Sequence, residues 1–189
     1  MKSKNYQRKH LRAPFKESVL YADGDYVLKA GCLNISEGGL LIDELPSFPA
    51  QDEVSLILCL PQLPSLKNFS ILKMQNFSRE IFGSKVVRAR ARMVRREQLS
   101  QNLDNIFRSR FGLQFTHLED TDQKNIENYV TTFASNLIFL QTLIDSFNSD
   151  EDTKIKTRVL ASILGYRDVE RIANLRATVT QDYKSLQWL

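Results

Sequence analysis

Between Lys85 and Arg95 the chain reads Lys-Val-Val-Arg-Ala-Arg-Ala-Arg-Met-Val-Arg, and no other stretch constrains the fold as strongly. Successive side chains of an extended backbone point to opposite faces, so Val87, Ala89, Ala91 and Met93 fall on one side and Arg88, Arg90 and Arg92 on the other. A helix would mix the two sets. The period of two predicts a strand with a buried apolar face and an open cationic one.

A strand needs neighbours to satisfy its backbone, and the sequence offers several. Val19–Ala22 and Tyr26–Leu33 are apolar-rich runs joined through Asp23-Gly24-Asp25, a hairpin signal because glycine accepts a positive φ. Leu40–Ile42 and Val54–Leu60 read as two more strands, the second closed off by Pro61 and Pro64, which cannot donate to a ladder. Phe111–Phe115 ends the β portion. Residues 61–80 are less regular; Phe69–Met74 is a candidate extra strand.

From Asp120 the period changes. Asp120, with Gln123 three residues on, is the expected N-cap of a long helix whose apolar residues Ile126, Val130, Phe133, Leu137, Leu140, Ile144 and Phe147 alternate spacings of four and three. Tyr129, Ile138, Phe139 and Leu143 widen that seam. Two shorter amphipathic segments, about 153–164 and 168–187, follow on either side of Gly165. The last has Val169, Ile172, Arg176, Val179, Tyr183 and Leu186 at helical spacing, with Arg176 at a core-type position. These segments either fold back on the long helix or leave its seam for a second copy, and the expectation is a homodimer through the C-terminal helices.

At 189 residues, 42% apolar and 25% charged, the chain has the size and composition of one globular domain with an appendage. No apolar run approaches the roughly 20 residues that cross a bilayer. Two cysteines, Cys32 and Cys59, are too few for a disulfide scaffold, and both sit in apolar strand context as structural thiols. No leader opens the chain, so a cytoplasmic setting is expected. The net charge of +4 is unevenly spread: residues 1–16 hold six Lys/Arg and no acid, residues 79–110 nine Lys/Arg against three acids, and residues 117–152 one lysine against eight acids. Two basic segments suit an anionic partner held between the N-terminal arm and the basic strand; solvated surface is the plainer reading.

Catalytic signatures are missing from the sequence. His10 and His117 lack a Cys or His at zinc spacing, so no metal site is expected, and no phosphate loop, dinucleotide fingerprint or serine elbow occurs. No catalytic residue is assigned. Two other features carry chemistry. Asn34-Ile35-Ser36-Glu37-Gly38-Gly39 follows the second strand, where an amide, a hydroxyl and paired glycines form a turn that a ligand can approach closely, or simply a tight turn. Ahead of it lies Arg8-Lys9-His10-Leu11-Arg12, two arginines four apart in an arm without acids. Arginine's planar fork binds phosphate oxygens or a guanine edge through two hydrogen bonds.

Arg8-x-x-x-Arg12 followed by Asn34-x-Ser36-x-x-Gly39 resembles the signature of the PilZ domain family, and the resemblance continues through Leu40-Leu41-Ile42, the Val54–Leu60 strand, the Val86–Arg95 strand and Gly112-Leu113-Gln114-Phe115. It covers roughly residues 6–120. The resemblance implies a six-stranded antiparallel PilZ-type β-barrel followed by a helix, so the expected fold is mainly β, with the barrel and its arginine arm over residues 1–118 and a C-terminal α-helical extension over residues 119–189 whose helices after 148 lie outside the family pattern. It also implies a ligand, cyclic di-GMP, with no cofactor. Arg8 and Arg12 would hold guanine edges and phosphates, Asn34 and Ser36 would contact guanine or phosphate, and Gly39 would keep the turn free of bulk. Gln7, which in the family influences whether one or two ligand molecules bind, Lys9 and Gly38 are secondary candidates. Asn34 replaces the commoner aspartate, so a charged acceptor for guanine N–H groups is lost. The expected function is a receptor that relays cyclic di-GMP by ordering its arm toward an unidentified downstream protein. A PilZ-like adaptor that binds no nucleotide, and a nucleic-acid binder using Arg88, Arg90, Arg92, Arg95 and Arg96, are the alternatives; the latter lacks aromatic interleaving.

Overall fold

The computed structural model describes residues 9–43, 45, 49–70, 82–98, 109–148 and 150–186. Seven strands form one sheet: β1 (Ala13–Pro14), β2 (Ser18–Asp23), β3 (Tyr26–Ser36), β4 (Gly39–Asp43), β5 (Glu53–Pro61), β6 (Ser84–Gln98) and β7 (Ser109–Leu118). Their order is β1-β3-β2-β5-β6-β7-β4, and β4 returns to pair with β3, so β2 to β7 close into a six-stranded antiparallel barrel. Closure gives each of these strands a partner on both sides over part of its length, and β6 runs on past Arg92 paired with β7 alone. The two-residue β1, which the sequence reading missed, is added outside the ring.

The β2–β3 hairpin pairs Asp23 with Tyr26, leaving Gly24 and Asp25 as its loop, and Gly24 has φ +59°. Within β6 the alternation holds: Val87, Ala89 and Ala91 are buried while Arg88, Arg90 and Arg92 are exposed. The same period corrects the reading of Cys59. Leu58 and Leu60 turn into the barrel, so Cys59 between them is exposed, whereas Cys32 is buried. Burial pushes the Cys32 thiol well above its usual range, because a thiolate has no water to solvate it there. Leu66–Asn68 form a short 3₁₀ turn, and the candidate strand 69–74 finds no support at Phe69 and Ser70; its remainder lies outside the described residues.

Three helices follow: α1 (Asp120–Asp145), α2 (Glu151–Ile163) and α3 (Ile172–Leu186). The N-cap of α1 is Glu119, one residue earlier than expected. Since β7 runs to Leu118, Glu119 alone bridges strand and helix with extended backbone, and its carbonyl already accepts the Gln123 N–H at 2.9 Å. Asp120 and Asp122 then lie in the first turn, where the helix dipole favours acids. Buried Asp122 also accepts the backbone N–H of Arg88 at 2.9 Å. Further along, the fully buried Asn136 accepts from Leu66 N and donates to Pro64 O, both at 2.9 Å, fixing the β5–β6 connection to α1.

Asp150 caps α2 by accepting from Thr153 N at 2.7 Å and Thr153 Oγ1 at 2.9 Å. At the other end Gly165, with φ +88°, donates to Ser162 O while Tyr166 N reaches back to Ala161 O, the paired bonds of a glycine-ended helix. Both α2 and α3 pack on α1. The seam residues Ile126, Val130, Phe133, Leu137, Leu140 and Ile144 are each no more than 1% exposed within this single chain. The uncovered seam that motivated the homodimer is therefore covered intramolecularly. Arg176 is exposed, not in a core position: α3 buries Leu175 with Val179 and Leu186, and the Arg176 guanidinium donates to Ile144 O at 3.0 Å, near the C-terminal end of α1.

Candidate functional site

Arg8 and Gln7 lie outside the described residues; Asn34, Ser36, Gly38 and Gly39 lie where β3 turns into β4, Arg12 immediately precedes the strand β1 that pairs with β3, and Lys9 is exposed. The brace is β1. Ala13 pairs with Ile35 and Pro14 with Asn34, and Phe15 N donates to Leu33 O at 3.1 Å. The chain just after the first motif therefore runs antiparallel to the strand that carries the second. Continuing that register sets Arg12 opposite Ser36 and His10 opposite Gly38. The side chains agree, because a Cβ on Gly38 would stand 3.1 Å from His10 Cδ2, and His10 Nδ1 lies 3.4 Å from Glu37 Oε2. His10, for which the sequence offered no role beyond a surface or partly buried imidazole, bridges the two motifs.

The second motif differs from the expected turn. Strand β3 extends through Ser36, so Asn34 and Ser36 are strand residues and only Glu37 and Gly38 turn the chain. Ile35 explains the extension: it is fully buried, so the ladder continues until that side chain is inside. A register shift between Cys32 and Asn34 separates this end of β3 from the regular hairpin. Ser36 is buried, and its Oγ donates to Gly39 O at 3.1 Å. Gly39 has φ +156°, and a Cβ there would fall 2.0 Å from Leu113 O. Its smallness serves the β4–β7 ladder directly below the turn, where Gly39 pairs with Gln114 and Phe115 N donates to Gly38 O.

Gly39, Gln114 and Arg92 lie on one register line across β4, β7 and β6, which sets Arg92 roughly 10 Å from the glycine at two strand spacings. Lys9, Gln114 and Arg92 are exposed. Glu53 stands opposite Arg92 on β5, so exposed charge of both signs lies along this line. A separate cleft of about 660 Å³, between the β5 and β6 ends and the α2–α3 connection, is lined by Glu17, Cys59, Gly83, Arg167 and Asp168 among others and, among the described residues, by no motif residue. Among the described residues no group of three His, Cys, Asp or Glu side chains could hold a metal, and no helix is long and apolar enough to cross a membrane.

A closed antiparallel barrel, with the strand just after Arg12 paired to the strand that ends in Asn34-x-Ser36-x-x-Gly39, sets the class of protein. The family model described as the PilZ domain matches residues 6–132, and the chain belongs to that family. Solved structures with a similar fold include the Bacillus subtilis inhibitor of motility MotI/DgrA (15% identity, TM-score 0.48, covering 66% of this chain and 50% of that one). The PilZ domain of Escherichia coli YcgR with c-di-GMP (14%, 0.41, covering 67% and 90%) and the K. pneumonia MrkH–c-di-GMP complex (12%, 0.41, covering 76% and 55%) are also similar. The chain thus spans only half the length of MotI/DgrA. No curated protein sequence matches it.

Proposed function

We propose that the chain is a receptor for cyclic di-GMP that has no catalysis of its own and signals through its N-terminal arm. The observation that carries this reading is the pairing of Ala13–Pro14 with Ile35–Asn34, which lays the root of the arginine arm along the second motif. Membership of the PilZ family supports it. In this reading Arg8 and Arg12 close on the bound dinucleotide, with Asn34 and Ser36 supplying neutral hydrogen bonds, Gln7, Lys9 and Gly38 lying at the rim, and a downstream protein recognising the closed arm. Ligand drives closure only to the extent that it binds the closed arm more tightly than the open one.

Calorimetric titration with cyclic di-GMP, using cyclic di-AMP and GTP as controls, tests the reading. Saturable binding of cyclic di-GMP alone is expected; no heat with any of the three leaves the non-binding adaptor. The exposed row Arg88, Arg90 and Arg92 favours a second reading, polynucleotide binding. Affinity for an oligonucleotide that falls steeply with salt, together with indifference to cyclic di-GMP, would select it.

A further inference from the structure

The three residues that follow Arg12 by two to four positions are held by the C-terminal helical extension. Tyr129 of α1 donates its hydroxyl to Pro14 O at 2.9 Å, and its ring meets Phe15 edge-on, with centroids 5.6 Å apart and planes at 82°. Phe15 is fully buried and Tyr129 nearly so. Lys16 Nζ sits 4.9 Å from the ring centroid of Tyr166, which lies in the α2–α3 connection, and Tyr166 in turn donates its hydroxyl to Asp182 of α3 at 2.6 Å. The strand side of the same segment is fixed by the pairing of Pro14 with Asn34. Pro14–Lys16 is thus clamped between the second motif on one side and α1, the α2–α3 connection and α3 on the other.

From this geometry we propose that Tyr129 and Tyr166 are positioning residues for the arginine arm, so that the helical extension sets the place of Arg12 and, through it, the affinity of the site. The second half of that statement rests on the cyclic di-GMP reading above. A proline carbonyl buried against a helix has few other donors available, so removing the Tyr129 hydroxyl leaves it unsatisfied and releases the arm's root. Coupling of this kind is reciprocal: ligand that fixes Arg12 also tightens the hold of the helices on Pro14–Lys16.

Two measurements on the full chain test this, one without ligand. Trypsin cleavage after Arg12 is followed in the parent, in Tyr129→Phe, which keeps the ring, and in Lys16→Gln, which removes only the exposed cation. Cleavage after Arg12 is expected to accelerate at least fivefold in Tyr129→Phe, with cleavage after Lys29 and Arg88 in the barrel unchanged. In the second measurement the dissociation constant for cyclic di-GMP rises about fivefold to tenfold, as expected for one lost hydrogen bond. Ile138→Gln on the exposed side of α1 changes neither. Unchanged cleavage after Arg12, or unchanged affinity in a parent that binds, overturns the inference. If the parent binds no cyclic di-GMP, the ligand reading fails and the cleavage rates alone decide the positioning role. Should Tyr129→Phe not fold, Lys16→Gln and Tyr166→Phe carry the same comparison.

Discussion

Replacing Gly39 by alanine should break the barrel, not merely weaken a ligand contact. The added carbon meets the Leu113 carbonyl at 2.0 Å, and backbone cannot swing aside as a side chain can. A loss of about 3 kcal/mol or more, at the upper end for an overpacked site, is expected in chemical unfolding; a Gly39→Ala chain of parental stability would show that β4 and β7 can part cheaply. Arg8→Ala and Arg12→Ala should behave oppositely, keeping the fold while costing about 1–3 kcal/mol each in cyclic di-GMP binding, the range of a bidentate arginine–guanine pair. The cysteines offer a third separation by residue. Cys59 is exposed while Cys32 is buried with its thiol pushed up by desolvation. A thiol reagent should modify one cysteine per native chain at mildly alkaline pH, and Cys59→Ser should abolish that reaction; a second equivalent before unfolding would contradict the burial of Cys32.

At the level of elements, the parts legible in the sequence were those written in local periodicity. The six barrel strands follow from alternation and turn residues, and the three helices from their three-four spacing. What local pattern could not show is where an element stops when a distant partner decides. Strand β3 outruns Leu33 because Ile35 has a core to enter, and β1 is too short to have any periodicity at all. The motif residues were therefore identifiable by type and spacing, but their placement on a strand end and the bridging contact of His10 with Glu37 and Gly38 needed three dimensions. Asp150 gives a prediction at this scale. Its carboxylate holds both the backbone N–H and the hydroxyl of Thr153, so Asp150→Ala should cost about 1 kcal/mol of stability by thermal or chemical unfolding. No measurable change would mean that packing of α2 on α1 alone sets its start.

For the whole molecule, the helical extension behaves as part of the barrel's core and not as a separate arm. Light scattering at micromolar concentration is expected to give the 21.8 kDa of one chain; a dimer would place the contact on a surface other than the α1 seam. A chain ending at Asn148 should be insoluble or unfolded, since α2 and α3 both pack on α1, where Leu140 and Ile144 of that seam are fully buried. Tyr166 makes the dependence visible in alkali. Burial, and then the Asp182 carboxylate, raise its folded pKa above the unfolded value of about 10. Below pH 10 the hydroxyl is protonated in both states; above it the unfolded chain releases a proton that the folded chain keeps, so stability falls as pH rises. Tyr166→Phe should flatten that decline, and an identical slope in both chains would remove the claim. The seat of Gly39 has a consequence for inheritance. On the cyclic di-GMP reading proposed above, a descendant that no longer bound the dinucleotide would be free to lose arginines from the arm, yet would have to keep the glycine to keep β4 against β7. The glycine of the signature therefore records fold, and the arginines with Asn34 and Ser36 would report, on that reading, whether a given descendant still binds.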